Sequence, residues 1–331
     1  MRSESQPLVS VLTPVYNCES YLSECIESVM TQTYQNWEYC IVNNCSTDRT
    51  LEIAEAYAKK DKRIRIHNNS DFVGVGQNGN IAFRQIASNS MYCKVVHADD
   101  WLFPECLMKM VELAEAHRTV AIVGAYSLVG DRVAWDGLPY TSSVVSGREI
   151  SRWTLLGKPY VFGSPTALLL RSDLVRASES FYDESNSHRD SEACLRILRS
   201  WDFGFVHQVL TYIRLREADG RAFSKRYNTY LPNNIDRLQK FGPAVLSQEE
   251  LRARLKYYWD IYYDYLAASV FRLREKEFWA FHREKMESMG HPLSLPRLIV
   301  AVCSKAIDYI FNPKRTVEGL LKKIGIEFER G

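Results

Sequence analysis

The sequence lacks a marked excess of charge of either sign. Its 331 residues carry 42 Lys and Arg against 40 Asp and Glu, which gives a formal net charge of +2. Nucleic-acid-binding domains commonly have a pI above about 9, so we expect no nucleic-acid partner. Hydrophobic residues make up 46% of the chain and charged residues 25%. These shares are typical of a folded globular protein and exclude a disordered or low-complexity one.

Paired cysteine motifs and long apolar runs are also missing. The eight cysteines include no CxxC pair, so neither a zinc site nor a redox motif is predicted. The most apolar stretch, 295–311, contains Arg297, Lys305 and Asp308, whereas a membrane span needs about 18 uninterrupted apolar residues. The first residues, MRSESQPLVSV, lack an apolar run after a basic start. We therefore expect no secretory signal and a cytoplasmic protein with reduced thiols.

The first two thirds of the chain alternate short apolar runs with amphipathic segments. Strands are predicted at 8–13, 37–43, 63–67, 92–97 and 120–126, and helical spacing lies between them. This series predicts an α/β fold with a mostly parallel central sheet flanked by helices. From about residue 244 the pattern changes to long helices. We predict one domain over 1–230 and a helical C-terminal extension over 231–331.

Polar residues stand where several of these strands end. They are Thr13, Asn43 and Asn44, and Asp99 and Asp100. Ligands of such sheets bind outside the carboxyl ends of the strands, so we expect these side chains to gather at one edge. Two adjacent carboxylates there suit Mg²⁺ or Mn²⁺, although an Asp in a strand-to-helix turn also serves as a helix cap.

Two further motifs each permit two interpretations. The run Gly74–Gly79 matches GxGxxG, the fingerprint of an NAD(P)-dependent oxidoreductase. However, six residues separate it from the preceding predicted strand, which disfavours a dinucleotide site. Asp190 lies at the start of a predicted helix, where it would cap that helix or act as a general base on a loop.

Four motifs in order resemble the family 2 inverting glycosyltransferases with the GT-A (Rossmann-like) fold, of the bacterial surface-polysaccharide type. They are LTPVYN at 12–17, SVMTQTY at 28–34, IVNNCSTD at 41–48 and HADD at 97–100. The resemblance covers roughly residues 7–215. It implies transfer of a sugar from a nucleoside-diphosphate sugar, UDP- or dTDP-linked, to a hydroxyl of a glycan or lipid-linked acceptor. A non-catalytic relative that only binds nucleotide sugars stays an alternative.

The resemblance also implies roles for individual residues. Asp190 matches the catalytic base, and Asp100 matches the ligand of a Mg²⁺ or Mn²⁺ cofactor. The positions that match the nucleotide site are Thr13, Pro14, Tyr16, Asn44, Asn80 and Asp99. Arg216 is a candidate diphosphate contact, and the candidate sugar or acceptor contacts are Trp101, Gly163, Ser164 and Pro165.

This chain departs from the family pattern at four positions. Asn43 and Asn44 stand where the family usually has two Asp residues, and His97 replaces the Asp that often opens the metal motif. An Asn side chain can still accept a hydrogen bond from a pyrimidine N–H and donate one to a carbonyl. Arg216 occupies a position that is often His, and an Arg there would pair with a diphosphate.

The last segment of the sequence is basic and amphipathic. Apolar residues recur at near-helical spacing from Leu298 to Ile324, and residues 291–331 carry seven Lys or Arg against four Asp or Glu. Such a helix lies in the interface of an anionic bilayer, or packs on the protein or a second subunit. We therefore predict either a peripheral contact with the inner face of the cytoplasmic membrane or a homodimer through the C-terminal helices.

Overall fold

The computed structural model describes residues 6–158, 160–215 and 221–311. The chain divides into two compact units, residues 1–219 and 220–331. The first unit is built around one sheet, and the second is helical.

Ten strands form the sheet of the first unit. They are β1 (Val9–Val15), β2 (Trp37–Asn43), β3 (Ile64–Asn68), β4 (Tyr92–Val95), β5 (Trp101–Leu102), β6 (Val120–Val129), β7 (Arg132–Ala134), β8 (Val144–Val145), β9 (Leu168–Arg171) and β10 (Asp202–Ile213). Their order is β3-β2-β1-β4-β9-β6-β10-β5, with β7 beside β6 and β8 beside β10. The pairs β3–β2, β2–β1, β1–β4 and β6–β10 are parallel, and β9 runs antiparallel to both β4 and β6. The predicted α/β class with a mostly parallel sheet is confirmed.

Seven helices accompany the sheet in the described part of this unit. They are α1 (Leu22–Met30), α2 (Thr50–Lys60), α3 (Val75–Arg84), α4 (Cys106–Ala116), α5 (Gly147–Leu155), α6 (Ser172–Arg176) and α7 (Arg189–Ile197). In α1, Leu22, Cys25, Ile26 and Val29 are fully buried, because their i, i+3, i+4, i+7 spacing puts them on one face. A buried side chain of this size contributes roughly 1.5–3 kcal/mol. The apolar spacing therefore holds this helix against the sheet.

The second unit contains α8 (Arg221–Tyr227), α9 (Tyr230–Val245), α10 (Gln248–Phe271), α11 (Lys276–Ser288) and α12 (Leu295–Phe311). A capping box begins α10: Glu250 N donates to Ser247 Oγ (3.1 Å) and Ser247 N donates to the Glu250 carboxylate (3.0 Å). Residues 312–331, which include much of the predicted basic segment, lie outside the described residues. Among the helices that the structure describes, none is long and apolar enough to span a membrane.

Candidate active site

The ends of β1, β2 and β4 meet at one edge of the sheet, as their parallel register requires. Asn44 N donates to Val15 O (2.9 Å), and Val96 N donates to Leu12 O (2.9 Å). Thr13 lies inside this junction. Its hydroxyl is fully buried, 2.8 Å from the Tyr39 hydroxyl, and donates to Val96 O (2.8 Å). Thr13 therefore ties three strands together from within, and half-buried Pro14 follows it.

The amide of Asn44 holds the loop between β3 and α3. Its Nδ2 donates to Val73 O (2.8 Å), and its Oδ1 accepts from Val73 N (3.0 Å) and from Asn69 Nδ2 (2.9 Å). Asn69 Nδ2 also donates to Asn78 Oδ1 (3.0 Å) at the start of α3. Asn44, predicted at the nucleotide site, thus fixes this loop through its side-chain hydrogen bonds.

That loop presents an exposed aromatic ring beside Tyr16. The rings of Tyr16 and Phe72 lie edge to face with centroids 4.8 Å apart, and the two residues are 46% and 62% exposed. Exposed aromatic rings of this kind can pack against a planar ligand. Sequence reasoning missed Phe72, because no periodic pattern distinguishes a single Phe in a polar loop.

Asp100 is nearly buried and held at both carboxylate oxygens. Thr166 Oγ1 donates to its Oδ2 (2.6 Å), and Arg214 N donates to its Oδ1 (3.1 Å); the residue is 3% exposed. His97 Nδ1 lies 3.9 Å from Oδ2. Burial raises the pKa of Asp100, while His97 and the Thr166 hydrogen bond oppose that rise. This carboxylate is therefore positioned rigidly, and a nearby positive charge would stabilise its ionised form.

The Arg214 side chain lies beside the Asp99–Asp100 pair. Its Nε donates to the Asp99 carbonyl (3.1 Å) and its Nη2 pairs with Glu24 (2.5 Å). Its guanidinium lies 5.3 Å from the ring centroid of Trp101, which is stacked on Tyr212 with centroids 3.6 Å apart. Arg214 is thus a cation beside the Asp99–Asp100 pair, whereas the predicted Arg216 lies outside the described residues.

The predicted sugar or acceptor loop, 163–166, lies against Asp100 through Thr166. Gly163 has φ +71°, and a Cβ there would come within 2.8 Å of Ala167 Cβ. Such a backbone favours glycine. The Ser164 hydroxyl is a buried polar atom without a hydrogen-bond partner among the described residues. An unpaired buried hydroxyl costs stability, so it is a candidate contact for a polar ligand.

Fully buried Lys94 holds the same loop through hydrogen bonds to its backbone. Its Nζ donates to Thr166 O (2.8 Å) and Leu168 O (3.2 Å). Burial lowers the pKa of Lys94. Together with Thr166 it fixes the loop on which Asp100 depends.

Asp190 lies in the first turn of α7 and lines a small cavity together with Pro165, Tyr182 and Cys194. Asp190 and Pro165 of the 163–166 loop therefore line the same cavity, and Thr166 of that loop hydrogen-bonds Asp100.

The glycine run packs against the segment that leads to Asp190. Gly76 and Gly79 lie inside α3, which begins at Val75. A Cβ on Gly76 would come within 2.1 Å of Arg189 Nη1, and one on Gly79 within 3.2 Å of the Tyr182 ring. The glycines thus permit close packing of protein on protein, which leaves no structural support for a dinucleotide fingerprint.

Asn80 also serves this packing. Its Nδ2 lies within hydrogen-bond distance of Ser180 Oγ (2.8 Å), Tyr182 O (3.0 Å) and Glu184 Oε1 (2.9 Å), which share its two N–H groups. Its Oδ1 accepts from Tyr182 N (2.8 Å). The residue is 1% exposed. Its role at a nucleotide stays a prediction, whereas its role in holding 180–184 is visible.

The donor set around Asp100 fits a divalent cation that is bound largely by its substrate. Among the described residues, no group of three or more His, Cys, Asp or Glu could enclose a metal by itself. Each Asp100 oxygen accepts one hydrogen bond and keeps a further lone pair. Mg²⁺ and similar ions commonly use one or two carboxylates and complete their shell with phosphate oxygens and water.

Comparison with known proteins gives concordant matches. The sequence model described as Glycosyl transferase family 2 matches residues 10–177, just over half of the chain. EpsE of Bacillus subtilis (strain 168) is 31% identical over 233 residues, which cover 70% of this chain and 80% of that relative.

Two solved structures share the fold. The crystal structure of S. aureus TarS 1-349 in complex with UDP-GlcNAc superposes with a TM-score of 0.63 at 19% identity, covering 97% of this chain and 93% of that one. The mannosyltransferase PcManGT from Pyrobaculum calidifontis, in complex with GDP-Man and Mn²⁺, superposes with a TM-score of 0.55 at 14% identity and covers 93% and 88% of the two chains.

Proposed function

This chain belongs to glycosyl transferase family 2 and has the GT-A fold, and on that premise we propose that it moves a sugar from a UDP- or dTDP-linked donor to a hydroxyl of a glycan or lipid-linked acceptor. The configuration at the anomeric carbon inverts, because a single displacement occurs. The acceptor belongs to the synthesis of a surface polysaccharide, on the cytoplasmic side of the membrane. The TarS neighbour holds UDP-GlcNAc, which supports the uridine or thymidine donor.

The base of the donor packs against Tyr16 and Phe72. Both rings are exposed and already in contact with each other, and stacking of a base on an aromatic ring contributes roughly 1–3 kcal/mol. Asn44 acts on this subsite by fixing the loop that carries Phe72. Asp99, next to the metal carboxylate, accepts a hydrogen bond from the ribose.

Asp100 holds a Mg²⁺ or Mn²⁺ ion together with the donor diphosphate. The Mn²⁺ in the PcManGT complex supports the choice of a divalent ion. When bound, the cation supplies positive charge beside the leaving diphosphate. Thr166 and the Arg214 amide orient the carboxylate, and the Arg214 guanidinium adds a second positive charge at this corner.

Asp190 is the general base. Its carboxylate accepts the proton of the acceptor hydroxyl while that oxygen attacks the anomeric carbon and the bond to the diphosphate oxygen breaks. The observation that supports this assignment is that Asp190 lines a small cavity together with Pro165, and that the next residue, Thr166, donates a hydrogen bond to Asp100.

The test combines a donor panel with a base variant. Purified protein is incubated with UDP- and dTDP-sugars, with and without Mn²⁺, and release of the nucleoside diphosphate is measured. Asp190→Asn should lower turnover by about 10²–10⁴-fold and retain donor affinity. Asp131→Asn, an exposed carboxylate in the same unit (94% exposed side chain), should behave as wild type.

Two results would contradict the assignment. Unchanged turnover in Asp190→Asn places the base elsewhere. Donor binding without release of nucleoside diphosphate, across the panel and with acceptor oligosaccharides present, indicates the non-catalytic alternative.

A further inference from the structure

Helix α12 presents apolar side chains to solvent. Six of its 17 residues are large, apolar and between 56% and 77% exposed: Leu295, Ile299, Val300, Ile307, Ile310 and Phe311. None of its residues is buried. A helix on the surface of a globular unit normally turns its apolar side inwards. In α12, apolar residues such as Leu298 and Val302 are half-buried, but a second apolar side is left uncovered.

The polar side of the same helix faces α10. Arg297 Nη2 pairs with Asp260 Oδ1 and Lys305 Nζ with Asp264 Oδ1, both at 2.8 Å. Asp308, the third charged residue of α12, lines a groove together with Asp264. The ion pairs therefore set the rotation of α12 and turn its uncharged side outwards.

The end of α10 extends this apolar surface. Phe271 is 45% exposed, and its ring lies 5.3 Å from the ring of Tyr309 on α12. Leu273 follows and is 91% exposed, between Arg272 and Arg274. We name the outward side of α12 together with Phe271 and Leu273 the apolar strip.

Area and charge favour a bilayer over a second copy of the chain. A 17-residue helix is about 25 Å long, so with a width of about 10 Å one side offers on the order of 250 Å², well below the ~800 Å² per partner of a stable interface. Exposed Arg272 and Lys276 stand beside Leu273. The intervening carboxylate of Glu275 is paired with Arg226 at 2.8 Å. The charge at this end of the strip therefore complements anionic headgroups.

We propose that the apolar strip docks on an anionic phospholipid bilayer, with α12 lying in the plane of the interface and Phe271 and Leu273 inserted beside its C-terminal end. Amphipathic helices bind bilayers through buried apolar area together with attraction to anionic lipids. This inference adds a partner to the proposed function but does not depend on the assigned donor, base or metal ligand. Its test needs no sugar, so its failure is distinguishable from theirs.

The experiment is flotation of the full-length protein with vesicles of phosphatidylglycerol and phosphatidylethanolamine. Wild type should float with the vesicles, and Ile299→Gln/Ile310→Gln should lower the partition coefficient at least about tenfold, since both side chains leave the apolar phase. Glutamine keeps a high helix propensity, and circular dichroism checks that the fold is retained. Arg272→Gln should reduce binding to the anionic vesicles and leave the weaker binding to phosphatidylcholine unchanged.

The matched control removes apolar surface elsewhere. Val133→Gln/Tyr140→Gln changes two exposed apolar residues of the first unit (51% and 79% exposed) and should float as wild type does. The proposal is overturned if wild type stays off anionic vesicles at low salt, or if the α12 double variant floats equally well. It is also overturned if light scattering shows a wild-type dimer that the double variant converts to monomer, because the strip then binds a second copy.

Discussion

Thr166→Val tests whether the hydroxyl that contacts Asp100 supports metal binding. This hydroxyl donates to Asp100 Oδ2 (2.6 Å) and accepts from His97 N (3.1 Å), and Thr166 is fully buried. Valine keeps the shape of the side chain and removes both hydrogen bonds. Asp100 would then be held only through its other oxygen, and the His97 amide would be left without this acceptor.

The magnitude follows from these two hydrogen bonds. A hydrogen bond to a charged group contributes roughly 1.5–3 kcal/mol, and a buried unsatisfied N–H costs about 1–3 kcal/mol. Because one hydroxyl makes both, the effects do not simply add, and we expect the free energy of unfolding to fall by about 2–5 kcal/mol. Loss of a group that orients a metal ligand typically weakens metal affinity by about 10–100-fold.

The assay is calorimetric titration of Mn²⁺ in the presence of UDP, together with urea unfolding. Thr50→Val is the matched control, because Thr50 is also fully buried and its hydroxyl accepts from Cys18 N (2.7 Å) and hydrogen-bonds the carboxylate of Asp48 rather than that of Asp100. It should lose stability and keep its metal affinity, and Thr166→Ser should be close to wild type in both. Wild-type Mn²⁺ affinity in Thr166→Val, or an equal loss in Thr50→Val, would refute the reasoning.

Two further predictions concern the base subsite and the helical unit. Phe72→Ala should weaken donor binding by about 5–150-fold, the equivalent of roughly 1–3 kcal/mol of lost stacking, and leave Mn²⁺ affinity unchanged. Titration with UDP measures this, and unchanged donor affinity would contradict stacking of the base on Tyr16 and Phe72. Burial lowers the pKa of His282 from 6.5 to about 4. Above pH 6.5 this residue is therefore neutral in both the folded and the unfolded chain. Between pH 6.5 and 4 only the unfolded chain binds a proton there. Wild type should therefore lose about 3 kcal/mol more stability than His282→Gln as the pH falls through that window, which unfolding at a series of pH values measures; identical pH profiles would contradict it.

The sheet and its polar edge could be predicted because local sequence and global fold agree there. The apolar runs that end at Thr13, Asn44 and Asp99–Asp100 are short, β-rich and separated by helical spacing. Parallel pairing then leaves little choice over where their ends meet. The antiparallel insertion of β9 between β4 and β6 depends on contacts between distant segments that no local pattern records.

The glycine run shows how one pattern can have two physical causes. Glycine lowers helix propensity by about 1 kcal/mol relative to alanine, which favours starting the predicted helix after Gly79. In the structure α3 begins at Val75 and contains both glycines, and their missing Cβ atoms let Arg189 and Tyr182 approach closely. Tertiary packing outweighs the local cost here. The spacing GxGxxG alone cannot distinguish protein packing from binding of a pyrophosphate.

For a similar reason, the sequence could not predict which side of α12 faces solvent. The periodic residues from Leu298 onwards predict an amphipathic helix, but not which side faces the protein. The ion pairs of Arg297 and Lys305 with α10 decide that, and they couple residues that are about forty positions apart in the chain. Ile299 and Ile310, members of the predicted apolar set, consequently face solvent.

The arrangement below the 163–166 loop favours function over stability. Lys94, Asp100 and Thr166 are between 0% and 3% exposed, and burying a charged group costs free energy unless it is paired and hydrogen-bonded. Lys94 donates to backbone carbonyls instead of pairing with Asp100, although a direct ion pair would offset more of that cost. The Asp100 carboxylate is therefore left with hydrogen bonds at both oxygens and no neutralising lysine, which keeps its negative charge available to an incoming cation. An apolar cluster of the same volume would pack at least as well, so the buried polar set is consistent with the cation site proposed at this edge of the sheet.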